Sequence, residues 1–341
     1  MSNPLEALLI VGIVIALGLV FFWPQTGLFW QLRRGYRGTQ RMMIEDALKH
    51  FYDREDKNAI GSLESLSGAL AISRDRAAAL IKRLEALNLL KSEAHGLKLQ
   101  SEGRSYALRI IRVHRLWENY LAEETGLPET DWHREAEIRE HLTTQDQAEK
   151  MAAQMGNPQY DPHGDPIPSP SGEIPPRKGI PLTDLPKDEL ARIVHIEDEP
   201  DILYKQLVAQ RLYPGKKIQI MLKSPERIVF IADGEEVVLA PVVATNVSVE
   251  VLPKEQEMAG PYDTLDLLQL GESAAVLGIS KACRGLQRRR LMDLGVVPGT
   301  EITAELKSGS GEPTAYSIRG ATIALRSQQA NMIYVNRKEA A

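Results

Sequence analysis

The alternation of apolar and polar positions divides the chain into three textures. Leu5–Trp23 is almost wholly apolar, and Ala7–Trp23 is an uncharged run of seventeen residues. That length sits at the short end of what spans a bilayer. Arg33, Arg34, Arg37 and Arg41 follow the run and no basic residue precedes it, the reverse of a secretory signal. The positive-inside rule then predicts a single-pass anchor in the cell membrane at residues 1–24, a basic juxtamembrane linker at 25–40, and a cytoplasmic body. From Met42 to Met155 apolar residues recur at helical spacing. Met42–Tyr52 reads as one helix, a short helix opens after Ser62, and Arg74–Leu87 reads as a third, with Ser62 and Ser73 as N-caps. Asn88–Gln100 has short apolar runs around the turn signal His95-Gly96. Glu102–Thr125 and Glu129–Met155 return to helix. From Leu182 the period shortens: Ile218–Leu222, Arg227–Ile231 and Glu236–Leu239 are β-rich runs split by Gly, Pro and Asp.

The β-rich block occurs twice. Tyr213-Pro214-Gly215 parallels Val297-Pro298-Gly299, and Leu182…Leu185 parallels Leu267…Leu270, a degenerate tandem repeat of small β-barrels. Eight prolines fall within residues 157–181, which excludes helix or central strand there. The expected fold class is therefore α+β multidomain. After the transmembrane helix come a winged helix-turn-helix (41–104), a helical domain (105–157), a Pro-rich linker (158–181), a first small β-barrel (182–252), a linker (253–263) and a second β-barrel (264–337).

Composition changes this picture little. The net charge of -5 advertises no global affinity for nucleic acid, yet the balance is local. Residues 25–105 hold fourteen Lys/Arg against ten Asp/Glu, and residues 106–157 hold six against ten. The single cysteine, Cys283, excludes an intrachain disulfide and any zinc site of several cysteines, and reads as a small buried residue or an inert thiol.

The candidate chemistry lies in the acidic part. In His133–His141, residues His133, Glu137, Glu140 and His141 share one face of a helix. His114 and Glu118 lie one turn apart on the preceding helix. Imidazole and carboxylate without thiolate suit a first-row divalent metal such as Mn²⁺ or Fe²⁺; a polar stripe of this kind also serves as a plain solvated face. On the third helix, Ser73, Arg74, Arg76, Lys82 and Arg83 are the exposed donors that would face a DNA major groove, against the ordinary alternative of a charged, solvated helix. His50 reads as a surface residue, His95 as a turn residue, His163 as fixing its own loop and His195 as structural. The run Arg288-Arg289-Arg290 reads as a solvated face or a docking surface. No nucleotide-binding glycine loop and no nucleophile elbow occur, and Glu137-x-x-x-His141 is not the Glu-x-x-His spacing of di-iron oxidases, so catalysis is not expected.

Three motifs carry a resemblance: His114-Arg115-Leu116-Trp117-Glu118-Asn119-Tyr120-Leu121, His133–Glu137 running to Glu140-His141, and Gly156-Asn157-Pro158…Asp161-Pro162-His163-Gly164-Asp165-Pro166-Ile167-Pro168. Together they resemble the DtxR/MntR family of metal-dependent transcriptional repressors across residues 42–167. The β blocks resemble barrel domains that some members carry, and the second, with Gly285–Gly295 and Pro298-Gly299, is similar to the FeoA domain of ferrous-iron transport systems. The resemblance implies that the helical domain binds metal and dimerises. Its implied ligands are Asp46, His114, Glu118, His133, Glu137, Glu140 and His141, for Mn²⁺ or Fe²⁺. Lys49 departs from the manganese-type pattern, which has a carboxylate there. Iron-type members draw further ligands from the first barrel, where Glu197-Asp198-Glu199-Pro200-Asp201 is the corresponding loop. Arg76 and Ala79 depart from the family's base-reading residues. The expected function is a membrane-tethered, metal-dependent DNA-binding regulator acting on double-stranded DNA as a homodimer. The alternative is a membrane-anchored accessory subunit of an iron or manganese transporter that does not depend on DNA binding.

Overall fold

The computed structural model describes residues 40–232, 234–253, 263–309 and 311–337. They begin with α1 (Gln40–Asp56), α2 (Leu63–Ala69), α3 (Arg74–Ala86), the hairpin β1 (Leu90–Glu93) and β2 (Gly96–Leu99), α4 (Ser101–Glu124), α5 (Trp132–Glu140) and α6 (Gln145–Gln154). A first sheet domain has β3 (Ile180–Pro181), β4 (Leu190–Ile196), α7 (Asp201–Ala209), β5 (Lys217–Lys223), β6 (Ile228–Ala232), β7 (Glu235–Leu239), α8 (Pro241–Ala244) and β8 (Val247–Val251). A second has β9 (Asp263–Thr264), β10 (Ser273–Ile279), α9 (Gly285–Asp293), β11 (Glu301–Lys307), β12 (Thr314–Ile318), β13 (Ala321–Leu325), α10 (Ser327–Ala330) and β14 (Ile333–Arg337). The chain divides into two compact units, with the boundary inside α4 between Ile111 and Arg112.

The expected anchor at 1–24 lies outside the described residues, as does its basic linker up to residue 39. The membrane localisation is corrected: among the described residues no helix is long and apolar enough to cross a bilayer. At 24 residues α4 has the length, but Glu102, Arg104, Arg109, Arg112, Arg115 and Glu118 interrupt it. Each such charge at the middle of a bilayer costs about 2.5–3.5 kcal/mol.

In the first unit, local chemistry sets the helix ends. Ser62 and Ser65 exchange side-chain and backbone hydrogen bonds in a capping box that starts α2. The Ser73 hydroxyl accepts from the Arg76 N–H to start α3. Ala77, Leu80, Ile81 and Leu84 give α3 one apolar face, which packs with Leu48, Phe51 and Leu66. Leu90 opposite Leu99 turns the hairpin inward onto the same core. The result is three helices and a two-stranded wing.

In the second unit, Val113 and Leu116 of α4 pack on Ala148, Met151 and Ala152 of α6 and on Ile167. The proline-rich stretch runs along α4. Proline supplies carbonyls and no donors, and α4 meets them with donors spaced along its length. Arg112 donates to the Pro168 carbonyl at 2.8 Å, Arg115 to the Pro166 carbonyl, and Asn119 to the Tyr160 carbonyl at 3.0 Å. The same stretch is sewn to the first sheet where the Ile196 N–H donates to the His163 carbonyl at 2.9 Å.

The tandem repeat is present element by element: α7 and α9 lie 84 residues apart, and β8 and β14 lie 86 apart. The expected closed barrels are corrected. Each copy is an open, six-stranded antiparallel sheet, ordered β3-β8-β4-β5-β6-β7 and β9-β14-β10-β11-β12-β13. Both copies carry register shifts at matching places, between Ile220 and Leu222 and between Ala304 and Leu306. Bulges of that kind curl a sheet over its own core without joining its edges.

Gly164 is where the proline-rich stretch comes closest to β4. Its φ is +96°, and a Cβ there would lie 2.1 Å from the Val194 carbonyl oxygen. Gly164→Ala is expected to destabilise the second unit by at least about 2 kcal/mol. Gly126→Ala, whose Cβ would meet nothing within 4 Å, is expected to stay within about 0.5 kcal/mol. Denaturant unfolding of the two variants checks this; equal midpoints would refute the close-approach reading.

Candidate metal centre

Glu118 and His114 sit one turn apart on α4, and both are buried. Leu116 and Leu121 on the helix's apolar faces bury the whole segment, so the polar pair is carried inward with them. His133, at the start of α5, closes a triangle. His114 Nε2 lies 3.1 Å from Glu118 Oε1 and 3.2 Å from His133 Nδ1, and His133 Nδ1 lies 3.3 Å from Glu118 Oε1. His114 Nδ1 lies 2.5 Å from Glu140 Oε2. With that nitrogen donating to Glu140, Nε2 is the atom turned toward the triangle, where it donates to Glu118 when the ring is charged and would offer a lone pair to a metal once that proton leaves, the usual arrangement of a carboxylate behind a ligand histidine.

The loop between β4 and α7 adds acid from the first sheet domain. Asp198 Oδ2 is 2.8 Å from His133 Nδ1, and Glu199 Oε1 is 3.2 Å from His133 Nε2. The proline-rich stretch adds His163, only 2% exposed. Its ring is walled by Trp132 and Tyr204. Its Nε2 is buried with no hydrogen-bond partner among the described residues, 3.9 Å from Glu118 Oε1 and 4.0 Å from Asp198 Oδ2. Those separations are too long for hydrogen bonds. They fall within the span of one bridging cation, since two donors each about 2.1 Å from an ion lie at most about 4.2 Å apart. The triangle edges match the about 3.0–3.4 Å expected between neighbouring donors of such an ion. An orphaned buried nitrogen facing two carboxylates, with no thiolate nearby, fits a divalent metal of the Mn²⁺ or Fe²⁺ type.

Electrostatics agrees with the geometry. Burial alone pushes Glu118 upward, but the charge of His114 and hydrogen bonds from His114 and His133 outweigh it and hold the carboxyl well below its usual range. Burial lowers His133, but hydrogen bonds to Asp198, Glu118 and Glu199 outweigh it and raise the imidazole far above its ordinary value. Burial and the neighbouring Asp165 and Glu118 raise Asp161 well above its usual range.

The expected site residues divide as follows. His114, Glu118, His133 and Glu140 come together in the second unit. His141 caps the C-terminus of α5, with Nε2 3.5 Å from Glu140 Oε1. Glu137 is exposed, 3.9 Å from His133 Nε2. Asp46 is half-buried on α1 of the first unit. Sequence reasoning gave His163 only a loop-fixing role, which its backbone does fill. Its motif was the available signal, but only the fold-back onto α4 brings its ring to Glu118. On α3, the Ser73 hydroxyl is occupied as the helix cap and Arg74 pairs with Glu64 at 2.6 Å. Arg83 bonds the Gln40 side chain, while Arg76 and Lys82 are exposed. His50 is half-buried rather than a surface residue, with Nε2 2.9 Å from Ser65 Oγ. Cys283 is buried and its thiol is pushed up to about 11 by burial, which keeps it protonated.

The iron-dependent repressor metal-binding and dimerisation domain matches residues 100–169, and the FeoA domain matches residues 180–251 and 264–337. The chain joins a DtxR/MntR-type metal-binding domain to two FeoA domains. The iron-dependent repressor IdeR of Mycobacterium leprae (strain TN) is 26% identical over 208 residues, 57% of this chain and 90% of that protein. A probable metal transport system membrane protein of Chlamydia trachomatis is 27% identical over 167 residues, 46% of this chain and 36% of that protein. Among solved structures, a manganese-dependent transcriptional repressor in complex with manganese aligns with a TM-score of 0.57 at 25% identity, covering 61% of this chain and 99% of the other.

A raised His133 pKa has a definite consequence. Its charged form stabilises the metal-free fold fully below the unfolded imidazole pKa, and that contribution is lost only as pH rises through the folded value. A metal must therefore displace a proton, so Mn²⁺ affinity is expected to rise by up to about tenfold per pH unit across neutral pH. His133→Gln should flatten that slope. Calorimetry in buffers of different ionisation enthalpy reads the proton release, and a pH-independent affinity would refute it.

Proposed function

We propose that this chain is a metal-dependent transcriptional repressor that binds Mn²⁺ or Fe²⁺ and, as a homodimer, double-stranded DNA. The observation that carries the reading is the buried His114/Glu118/His133 cluster with the unpartnered His163 Nε2 beside it. A bound divalent cation supplies positive charge to a pocket rich in carboxylates. The chain's own residues do the rest. His114 and Glu118 hold the site to α4, His133 holds it to α5, His163 holds it to the proline-rich stretch, and Asp198 holds it to the first FeoA domain. Glu140, hydrogen-bonded behind His114, orients that imidazole, and His141 beside it supplies a further donor. Asp46 adds a ligand from α1, a role that rests on the family resemblance alone; Glu137 is a ligand on the same basis. Metal favours the DNA-competent state by its differential affinity for that state.

DNA contact is assigned to α3. Arg76 and Lys82 are its exposed donors, Arg83 reaches DNA by releasing Gln40, and Ser73 and Arg74 sit at the N-terminal end that points toward a groove. Dimerisation follows the matched metal-binding and dimerisation domain.

A second reading has one observation behind it, the similarity to the Chlamydia membrane protein. On that reading the chain is an accessory of an iron or manganese transport system and DNA is dispensable.

A mobility-shift assay with and without Mn²⁺ or Fe²⁺ separates the two. Metal is expected to tighten DNA binding at least tenfold. Glu118→Ala and Glu140→Ala should abolish that gain, and Arg76→Ala should weaken binding in every metal state. DNA binding indifferent to metal would overturn the sensor reading, and no DNA binding together with recovery of a transporter would favour the second.

A further inference from the structure

The two FeoA copies share a strand irregularity but not what lies against it. β4 pairs β8 with a register shift between Ile193 and His195, and β10 pairs β14 with the same shift between Val276 and Gly278. Val194, His195 and Ile196 therefore correspond to Leu277, Gly278 and Ile279. In the first copy the proline-rich stretch fills this place. Gly164 comes against the Val194 carbonyl. The His195 ring reaches Asp165, with Nε2 3.3 Å from Oδ2. The Ile196 N–H donates to the His163 carbonyl at 2.9 Å. In the second copy the place is open. Leu277 is 43% exposed, and a Cβ added at Gly278 would meet nothing within 4 Å. The Ser280 N–H donates to the Met332 carbonyl, so the alternation of an antiparallel pair turns the Ile279 N–H away from β14. Among the described residues no acceptor takes it.

We propose that this vacancy is a docking groove for an extended, proline-rich segment of another protein, with acids beside its prolines. The occupant's chemistry is that of the segment seated on the first copy. Proline has no N–H and holds the residue before it extended. Such a segment can offer carbonyls to a lone strand donor while stranding few donors of its own. Asp161 and Asp165 stand directly before Pro162 and Pro166. Two residues beyond Ile279, Lys281 is exposed and has no ion pair among the described residues, which suits an acid in the occupant. The chain's own connection does not reach. His163 stands 17 residues ahead of Ile180, where β3 starts, and the residue as far ahead of Asp263, where β9 starts, is Asn246. The Asn246 carbonyl accepts from the Glu197 N–H inside the first copy. The segment therefore comes from a partner. The inference goes beyond both readings of function and rests on neither.

The probe is a synthetic peptide with the sequence of residues 157–170, which carries the docking chemistry seen on the first copy. The full-length chain with Mn²⁺ is titrated with it up to about 1 mM, and amide hydrogen exchange is followed by NMR. Without peptide, the Ile196 amide is expected to be protected and the Ile279 amide to exchange quickly. Peptide is expected to slow Ile279 and leave Ile196 unchanged. L277D, at an exposed position, is expected to weaken binding at least about tenfold through loss of the apolar contact, and K281E about threefold, both with unaltered melting. Absence of binding, unchanged affinity in L277D, or a change at Ile196 in place of Ile279 would overturn the proposal. Protection of Ile279 that grows with protein concentration alone would assign the groove to a second copy of this chain and overturn the partner.

Discussion

Much of the second unit is organised by one requirement, that the Glu118 carboxylate stay ionised while buried. Its side chain is 2% exposed. A lone carboxylate in that position would take up a proton rather than remain charged. Two imidazoles prevent it. His114 is fixed from behind by Glu140, and His133 is fixed from the far side by Asp198 and Glu199. Every element of the site is thereby tied to one side chain: α4 carries it, α5 supplies His133 and Glu140, and the β4–α7 loop supplies the outer acids. The proline-rich stretch is fastened along the same helix through Arg112, Arg115 and Asn119.

The two FeoA copies show how a duplicated fold takes on separate tasks through one segment. In the first, the residues leading into α7 face the cluster, with Asp198 and Glu199 as acids and Tyr204 as a wall to His163. In the second, the residues leading into α9 face the C-terminal end of the same helix α4. Gly285 presses on its last turn, where a Cβ would lie 2.6 Å from the Ala122 and Thr125 carbonyls. Arg289 makes paired contacts of 3.1 and 2.7 Å with Glu124. In helix register, Glu199 of the first copy corresponds to Cys283 of the second and Tyr204 to Arg288, so the second copy has no acids to offer a cation at that place. The arginine run is thus largely committed within the chain, since Arg288 also donates to the Ile279 and Ser280 carbonyls at 3.2 Å. An exposed pair such as Arg289–Glu124 contributes at most about 1 kcal/mol; it sets orientation more than strength.

What was legible in the sequence was local. The N-caps Ser62 and Ser73, the hairpin at His95-Gly96 and the tandem repeat all follow from short-range chemistry, and the helices and strands lie close to where periodicity puts them. Properties that depend on long-range closure were not legible. Strand count and turn signals are the same for a closed barrel and an open curled sheet, so the barrels became sheets. Helical spacing places His133, Glu137, Glu140 and His141 on one face, but α5 ends at Glu140. In three dimensions His133 and Glu140 turn inward while Glu137 faces solvent. His163 was hidden for a related reason. Its short-range role, holding a turn through the Asp161 carboxylate at 2.9 Å, accounts for its neighbours in sequence. Its ring's partners lie 45 residues back on α4 and 35 residues ahead in the first sheet domain.

The cluster is also poorly explained as a device for stability. Desolvating charged groups costs several kcal/mol each, and a buried ionic network is often matched or bettered by apolar side chains of the same shape. Apolar alternatives were available here, since Leu116, Leu121, Trp132 and Ala136 already pack around it. A network built for stability would also leave no member unsatisfied, whereas His163 Nε2 is buried and unpartnered. The arrangement makes sense if the protein has two charge states to distinguish. In one, protons on His133 and its neighbours balance the carboxylates. In the other, a divalent cation replaces them and gives His163 Nε2 its missing partner. The donors come from α4, α5, the proline-rich stretch and the first FeoA domain, so the second state draws together elements that the first holds by hydrogen bonds alone.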